Sequence, residues 1–310
     1  MAYTRQTYIY KTVQDCQIQA DVYRLPGGQQ RPAILWIHGG GLIFGNRQYL
    51  NPEQAELYLK AGYAIVSIDH RLAPEAKLPA ILEDLQDAYT WMRGPGPELF
   101  QIDPGRIAVI GHSAGGYLTL MSGFYLHPRP KALVSFYGYG DIAGEWYSLP
   151  SPHYSQEPAV SREVAYRGVG ARVIAGSSFS GAADPRWLFY LFCRQQGVWP
   201  KQVAGHDPHT EPRAFDPYCP IRQVTQDYPP TLLLHGDQDT DVPYEQSQQM
   251  AAALERNGVT HRLITMEGFG HGFDTAPDPS LPGKPSGLKH PKVAEAFAVV
   301  LAFLKEHLSG

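Results

Sequence analysis

Ser113 has the clearest potential for covalent chemistry, because it stands in the sequence Gly-His-Ser-Ala-Gly at positions 111–115. An apolar run at 107–110 precedes this segment, and a stretch compatible with a helix follows at 117–121. The flanking glycines let the backbone turn sharply from strand to helix, so that the serine hydroxyl stands at the top of a sheet, near the positive end of the helix. Since such pentapeptides are common by chance, a nucleophilic serine is a hypothesis that the rest of the chain must support.

His271 is the predicted general base. A serine hydroxyl is a poor nucleophile at neutral pH, and it needs a histidine whose tautomer is held by a carboxylate. His271 lies between two glycines after an apolar run at 262–266, and such a loop can reach back to another strand end. The other histidines lack this context. His206 and His209 suggest a metal, but no third ligand follows at a suitable spacing, so a polar loop is expected there and no metal site.

The acid that would orient His271 is sought in the loop after the apolar run at 231–234, where three aspartates compete. Asp237 directly follows a glycine and fits a turn. Asp241 stands just before a predicted helix, where an acidic residue is favoured in any case. Asp239 in the middle of the loop is therefore the preferred acid, and Asp241 is the alternative.

The sequence His-Gly-Gly-Gly at 38–41 is a candidate oxyanion hole. It follows a predicted strand that ends at residue 37, upstream of the serine. Consecutive glycines let bare backbone N–H groups approach a substrate oxygen closely. The amides of Gly40 and Gly41, together with the amide of Ala114, are expected to bind the oxyanion of a tetrahedral intermediate.

The composition is that of a globular protein with one large domain or two ordinary ones, since the chain has 310 residues and is 43% hydrophobic. A net charge of −4 without a long basic block argues against nucleic acid as the main partner. No signal-peptide pattern and no run long enough for a membrane span is seen, so a cytoplasmic protein is expected. Cys16, Cys193 and Cys219 are odd in number and far apart, which predicts free, buried or half-buried thiols.

Apolar runs that alternate with amphipathic segments predict a doubly wound α/β sheet that begins with an antiparallel hairpin. The hairpin strands are expected at 8–11 and 16–23. Continuous apolar runs that suit a parallel sheet covered on both faces lie at 33–37, 64–68, 107–110, 132–136, 231–234 and 262–266. Amphipathic helices are expected at 81–93, 244–256 and 293–308.

The segment 138–230 interrupts this alternation. It has one clear helical pattern, at 187–192, and is otherwise rich in Pro, Gly, Tyr and His. A long segment without sheet pattern is usually an insertion that covers a site. The chain is therefore interpreted as a single domain, 1–310, in which 138–230 contains a cap over the carboxyl edge of the sheet.

Four motifs in combination resemble the hormone-sensitive-lipase-like branch of the α/β-hydrolase superfamily. They are Trp-Ile-His-Gly-Gly-Gly at 36–41, Asp-His-Arg-Leu-Ala-Pro-Glu at 69–75, Leu-Glu-Asp at 82–84 and Gly-His-Ser-Ala-Gly-Gly at 111–116. The resemblance implies an α/β-hydrolase fold with about eight mostly parallel strands, the chain order Ser, Asp, His for the triad, and hydrolysis of carboxylic esters without a cofactor. It also implies that 69–75 is a scaffold for the site.

Two departures from that branch concern the substrate class. His112 stands where such proteins commonly carry aspartate, and the acid loop at 235–243 looks more like that of dienelactone-hydrolase, acyl-thioesterase and oligopeptidase relatives. In those relatives the acid lies three residues before a Val-Pro pair, which supports Asp239. The chain therefore also resembles a mixed esterase group that includes feruloyl and acetyl-xylan esterases.

The leading hypothesis is a serine carboxylesterase for short-chain acyl or aryl esters, with Ser113, Asp239 and His271 as its triad. The alternatives are an arylformamidase or another amide hydrolase and, from another class, a non-catalytic receptor for small molecules. The receptor is disfavoured because such proteins typically lose the histidine. By analogy with related esterases, a homodimer is left open.

Overall fold

The computed structural model describes residues 2–275 and 287–309. Its centre is an eight-stranded sheet in the order β1-β2-β4-β3-β5-β6-β7-β8. The pairings of β1 with β2 and of β2 with β4 are antiparallel, and the other five pairings are parallel. The strands are β1 (Thr4–Val13), β2 (Cys16–Arg24), β3 (Arg31–Ile37), β4 (Ala64–Ile68), β5 (Ile102–His112), β6 (Ala132–Phe136), β7 (Thr231–Gly236) and β8 (His261–Met266).

Helices cover both faces of this sheet. They are α1 (Pro52–Lys60), α2 (Leu78–Arg93), α3 (Gly96–Phe100), α4 (Ala114–Tyr125), α5 (Glu145–Ser148), α6 (Arg162–Tyr166), α7 (Pro185–Gln196), α8 (Trp199–Ala204), α9 (Glu245–Arg256) and α10 (Pro291–Leu308). Alternate residues of β3 face opposite sides. Leu35 packs in the core that includes α2, α4 and α9, whereas Ile34 and Trp36 pack in the core with α1 and α10. Burial on both faces explains the continuous apolar runs.

The expected fold class is confirmed, and every predicted strand is present. The main difference is in length. β5 begins at Ile102, five residues before the apolar run that marks it, because hydrogen bonding to a neighbouring strand does not require an apolar side chain. The three predicted amphipathic helices correspond to α2, α9 and α10, and Gly258 at φ 66° ends α9 as a left-handed residue.

Residues 138–230, called the cap segment below, contain α5 to α8 and no strand of the sheet. The helix expected at 187–192 is α7, whereas α5, α6 and α8 are too short to carry a periodic pattern. Two isolated antiparallel bridges, Gly45 to Ser177 and Arg71 to Ala175, join the cap segment to loops at the carboxyl edge of the sheet. Its role as a cap remains an interpretation.

Cys16, Cys193 and Cys219 are all buried and free, as expected. Among residues 2–275 and 287–309, none of the helices combines the length and the apolar character that crossing a lipid bilayer requires. His206 pairs with Glu211 at 3.0 Å, and His209 contacts the carbonyl of Ser148 at 3.0 Å.

Candidate active site

Ser113 occupies a strained turn between β5 and α4. Its backbone has φ 56° and ψ −119°, a conformation that L-residues rarely adopt. The two glycines of the motif permit the close packing around it. A Cβ at Gly111 would lie 2.1 Å from the carbonyl oxygen of Gly115, and a Cβ at Gly115 would lie 2.2 Å from that of Ile37. The turn therefore projects the serine side chain at the edge of the sheet, as the motif predicts.

His271 bridges Ser113 and Asp239. Its Nε2 lies 3.0 Å from Ser113 Oγ, and its Nδ1 lies 2.7 Å from Asp239 Oδ2. The two separations fit a hydroxyl that donates to Nε2 and an Nδ1–H that donates to the carboxylate. Three residues that are far apart in the chain thus meet at the ends of β5, β7 and β8.

The surroundings of Asp239 keep it charged. Its side chain is fully buried, and its Oδ1 accepts hydrogen bonds of 2.9 Å from the amides of Asp241 and Val242. Burial alone would raise the pKa of Asp239, but the charge of His271 and hydrogen bonds from His235 and His271 hold that pKa well below its usual range. An ionised Asp239 fixes the Nδ1–H tautomer of His271, so that Nε2 is free to act as a base.

The charges around His271 make it more basic than an ordinary histidine. Burial alone would lower its pKa, but the negative charges of Asp239 and Asp241 outweigh this and raise the pKa to about 8. The imidazole is 24% exposed, so a substrate can reach it.

The other two aspartates of the loop have different contacts. Asp237 Oδ1 accepts a hydrogen bond from the amide of Gly268 at 2.7 Å, which is the turn role expected for it. Asp241 Oδ1 pairs with Arg194, and its Oδ2 lies 3.6 Å from Nε2 of His271, on the side of the reacting nitrogen. Asp239 is thus the carboxylate that faces Nδ1.

The glycine loop after β3 presents the expected amides. Gly40 and Gly41 have φ values of 106° and 59°, and the carbonyl of Gly40 accepts hydrogen bonds from the amides of Ile43 and Phe44 at 3.0 Å. Within the described residues, the amides of Gly40, Gly41 and Ala114 donate to no protein acceptor. All three residues therefore have N–H groups available at the edge of the site, and Ala114 is the first residue of α4.

A cavity of about 660 Å³ opens over Ser113 and His271. The cap segment supplies several of the residues that line this cavity, and most of these residues are aromatic. The lining from the cap segment consists of His153, Tyr154, Phe179, Trp187 and Tyr190. Two further aromatic residues of the cap segment, Tyr147 and Phe189, do not line the cavity and belong to the buried core.

A buried ion pair attaches the cap segment beside the glycine loop. Arg186 in α7 makes a bidentate pair with Glu75 at 2.9 and 3.0 Å, and both side chains are almost fully buried. The same guanidinium donates to the carbonyls of Ile43 and Ala73 at 2.5 Å. These contacts give the motif at 69–75 a structural role, in agreement with the scaffold that the resemblance implies.

A second buried carboxylate, Asp274, was not identified from the sequence. It lies 3.0 Å from Nδ1 of His112 and accepts hydrogen bonds from the hydroxyl of Tyr137 at 2.5 Å and from the amide of Gln54 at 2.6 Å. The ring of Tyr137 packs on His271 with centroids 4.6 Å apart. Asp274 thus ties four parts of the chain together behind the loop that carries His271. A lone aspartate three residues after His271 carries no sequence signal for this.

Two family models match the sequence of this chain. One, described as BD-FAE, matches residues 20–142, and the other, described as the prolyl oligopeptidase family, matches residues 186–310. The structure also superimposes on an alpha/beta hydrolase superfamily protein from Enterococcus faecalis with a TM-score of 0.70 and 22% identity, covering 98% of this chain and 100% of that one. The chain belongs to the α/β-hydrolase superfamily. The two matching models support a serine hydrolase of the esterase-like type.

The chain is also similar to a solved carboxylesterase and to one region of a polyketide synthase. The thermophilic carboxylesterase EstE1, cloned from a metagenomic library, matches with a TM-score of 0.67 and 22% identity over 100% of this chain and 90% of its own. The non-reducing polyketide synthase Preu6 of Preussia isomera is 30% identical over 91% of this chain. The hydrolase spans only 14% of the length of that synthase, so the likeness concerns one region of a much larger protein.

Proposed function

We infer that this hydrolase is a serine carboxylesterase that cleaves short-chain acyl or aryl esters through an acyl-enzyme. The observation that carries the proposal is the continuous line of contacts from Asp239 through His271 to Ser113, which ends on a hydroxyl in a strained turn. A non-catalytic receptor would not need this line, nor unbonded amides beside the hydroxyl.

In the proposed reaction, Ser113 Oγ attacks the ester carbonyl while His271 Nε2 accepts its proton. The charge of Asp239 stabilises the resulting imidazolium, and the amides of Gly40, Gly41 and Ala114 donate to the oxyanion. The imidazolium then protonates the leaving alcohol, and the acyl group remains on Ser113. A water molecule, deprotonated by His271, attacks the acyl carbonyl and releases the carboxylic acid.

The residues that line the cavity favour a substrate with an apolar acyl or aryl group. Phe44, Trp187 and Tyr190 lie on one side of the cavity, and their rings pack together with centroids 5.7 to 5.9 Å apart. Such a wall buries a flat or short apolar group well but supplies few hydrogen-bond partners along its length.

Hydrolysis of an aryl thioester is the second candidate. It is favoured by the 30% identity to a polyketide synthase region over most of the chain. The same serine, histidine and oxyanion amides would act on a thioester, because only the leaving group changes from an alcohol to a thiol. The amide-hydrolase alternative draws on the match to the prolyl oligopeptidase family at 186–310.

The test is a comparison of kcat/KM across substrate classes. The panel contains p-nitrophenyl acetate and butyrate, methyl ferulate, acetylated xylan, an aryl N-acetylcysteamine thioester and N-formylkynurenine. We expect the short and aryl esters to be turned over fastest. A preference for the thioester or for N-formylkynurenine would replace the ester proposal with the corresponding alternative.

The matched variant for this panel is Ser113→Ala. It is expected to lower ester turnover by about a thousandfold or more. Its circular dichroism and its urea unfolding curve should match those of the unaltered protein, because only one hydroxyl at the end of a strand is removed. Ester turnover that survives in a folded Ser113→Ala protein would overturn the assignment of the nucleophile.

A further inference from the structure

Asp241 presents its two carboxylate oxygens to different partners. Oδ1 accepts hydrogen bonds from Arg194 Nη1 at 2.5 Å and from the hydroxyl of Tyr190 at 2.8 Å. Oδ2 lies 3.6 Å from Nε2 of His271, and the residue lines the cavity, with 16% of its side chain exposed. The carboxylate is therefore held from behind by Oδ1, while Oδ2 lies beside the nitrogen that exchanges protons with the substrate.

Arg194 holds this orientation firmly. Its side chain is only 2% exposed, and it also donates from Nη2 to the backbone carbonyl of Asp241 at 3.0 Å. The guanidinium lies 4.7 Å from the ring centre of Tyr147 and 5.0 Å from that of Tyr154. The negative charge of Asp241 is largely balanced, so the pair is suited to a neutral hydrogen-bond donor more than to a cation.

Acyl transfer changes which hydrogen bonds His271 can make. In the free enzyme, the hydroxyl of Ser113 donates to Nε2 at 3.0 Å. Once Oγ carries an acyl group, it has no hydrogen to donate, and neutral His271 keeps its proton on Nδ1 towards Asp239. Nε2 of His271 and Oδ2 of Asp241 are then two acceptors 3.6 Å apart beside the acyl carbonyl.

We propose that Asp241 orients the water molecule that hydrolyses the acyl-enzyme. A water molecule that donates one hydrogen to Nε2 and the other to Oδ2 has its lone pairs left for the acyl carbon. The water oxygen forms a bond with that carbon, and one water proton passes to Nε2. The bond to Ser113 Oγ then breaks, and Oγ takes the proton from Nε2. The second water proton remains on the carboxylic acid product, so no proton passes to Asp241.

This arrangement distinguishes water from other acyl acceptors. An alcohol has a single hydroxyl hydrogen and cannot donate to both His271 and Asp241. Water therefore gains a hydrogen bond that an alcohol does not gain. Asp241 is thus a residue that favours hydrolysis over transfer of the acyl group to an alcohol. The inference rests on the proposed function, since it requires an acyl group on Ser113.

The test measures how the acyl-enzyme partitions between water and methanol. p-Nitrophenyl butyrate is turned over in the presence of methanol, and the ratio of methyl butyrate to butyrate is determined by gas chromatography. In Asp241→Asn, the amide oxygen can still accept from Arg194 and Tyr190, while an N–H group replaces the acceptor near Nε2. We expect this variant to raise the ratio about fivefold, the effect of losing one hydrogen bond.

The partition ratio separates this role from a structural one. Only active molecules contribute to it, so a fraction of misfolded protein does not change it. A change in the basicity of His271 affects attack by water and by methanol alike. The matched control is Asp237→Asn in the same loop, where the carboxylate serves a turn at Gly268 and does not line the cavity. This control should leave the ratio unchanged.

The outcomes are distinct. An unchanged ratio in active Asp241→Asn overturns the role of Asp241 but leaves the esterase proposal intact. An unaltered enzyme that shows no burst of p-nitrophenol and no turnover overturns the proposed function itself. If the single variant does not fold, the double variant Asp241→Asn with Arg194→Gln removes the unbalanced buried charge as well. Its ratio is expected to rise in the same way, and an unchanged ratio contradicts the proposal.

Discussion

The carboxyl edge of the sheet and the cap segment build the two sides of one cavity in different ways. At the sheet edge, parallel pairing sets the positions of Ser113, Asp239 and His271, because each follows a strand whose register its neighbours define. The cap segment has no strand in the sheet. It is attached by two ion pairs, Arg186 with Glu75 and Arg194 with Asp241, and by aromatic rings that pack on Phe44.

The difference separates the chemistry from the choice of substrate. A backbone ladder fixes the relative positions of the strand ends, which the proposed proton transfer from Ser113 to His271 requires. Ion pairs and aromatic contacts fix a wall of the cavity and can be altered without moving the sheet. Substitutions at the sheet edge should therefore act on kcat, whereas substitutions in the cap segment should act on stability and on KM.

The largest effect on activity among the remaining variants is expected for Asp239→Asn. An asparagine keeps the size of the side chain but no longer favours the Nδ1–H tautomer of His271, so kcat should fall by about four orders of magnitude. Asp241→Asn should lower kcat by about tenfold at most, since it loses one hydrogen bond near Nε2. The measurement is kcat for p-nitrophenyl butyrate. A larger loss in Asp241→Asn would reverse the assignment of the triad acid.

The attachment of the cap segment is tested by Arg186→Met. This variant leaves the buried carboxylate of Glu75 without its partner and should lower the free energy of unfolding by about 3–5 kcal/mol. Arg167→Met removes an exposed pair with Glu163 and is expected to leave the unfolding midpoint unchanged, because both side chains are mostly in solvent. Urea unfolding compares the two. Equal midpoints would show that the buried pair does not hold the cap segment.

The pH dependence of kcat/KM tests the charges around His271. Activity needs Nε2 unprotonated, and the pKa of His271 is raised to about 8. We therefore expect kcat/KM to rise through about pH 8 and to fall about tenfold per pH unit below that midpoint. Asp241→Asn removes a nearby negative charge and should move the midpoint to lower pH. A midpoint that stays in place would show that Asp241 does not act on His271.

The smallest effect is expected at the outer rim of the cavity. Phe179 lines the cavity, but 48% of its surface is exposed, so it contributes only part of its area to a bound substrate. Phe179→Ala should raise KM for aryl esters about twofold to threefold and leave kcat unchanged. Leu149→Ala is the control, because Leu149 is similarly exposed at 44% but does not line the cavity. An equal change of KM in both variants would show that Phe179 does not contribute to substrate binding.

Much of the fold could be predicted because its signal is local. Continuous apolar runs mark strands buried on both faces, and amphipathic runs mark α2, α9 and α10. The short helices of the cap segment could not be predicted, since four to six residues do not complete enough turns for a periodic pattern. The candidate nucleophile and base were found because glycines beside them indicate a special backbone.

The choice between Asp239 and Asp241 shows where local signals end. The two residues stand in one loop, and their order alone does not say which carboxylate faces Nδ1 of His271. In the structure, Oδ1 of Asp239 accepts hydrogen bonds from the backbone amides of Asp241 and Val242. The loop therefore turns around Asp239 and directs its Oδ2 at the imidazole of His271. The buried position of Asp274 likewise depends on partners far away in the chain, one of them 220 residues distant.

The sequence by itself predicted the strands of the sheet, its three amphipathic helices and the candidate residues for acyl transfer, because hydrophobic period and glycine placement act over a few residues. Only the tertiary structure decided which aspartate faces Nδ1 of His271, which carboxylates pair with Arg186 and Arg194, and which aromatic residues line the cavity. The ion pairs of Arg194 and Arg186 join positions 47 and 111 residues apart. The energy of a buried charge depends on the partner that folding brings to it, and no local pattern encodes that partner.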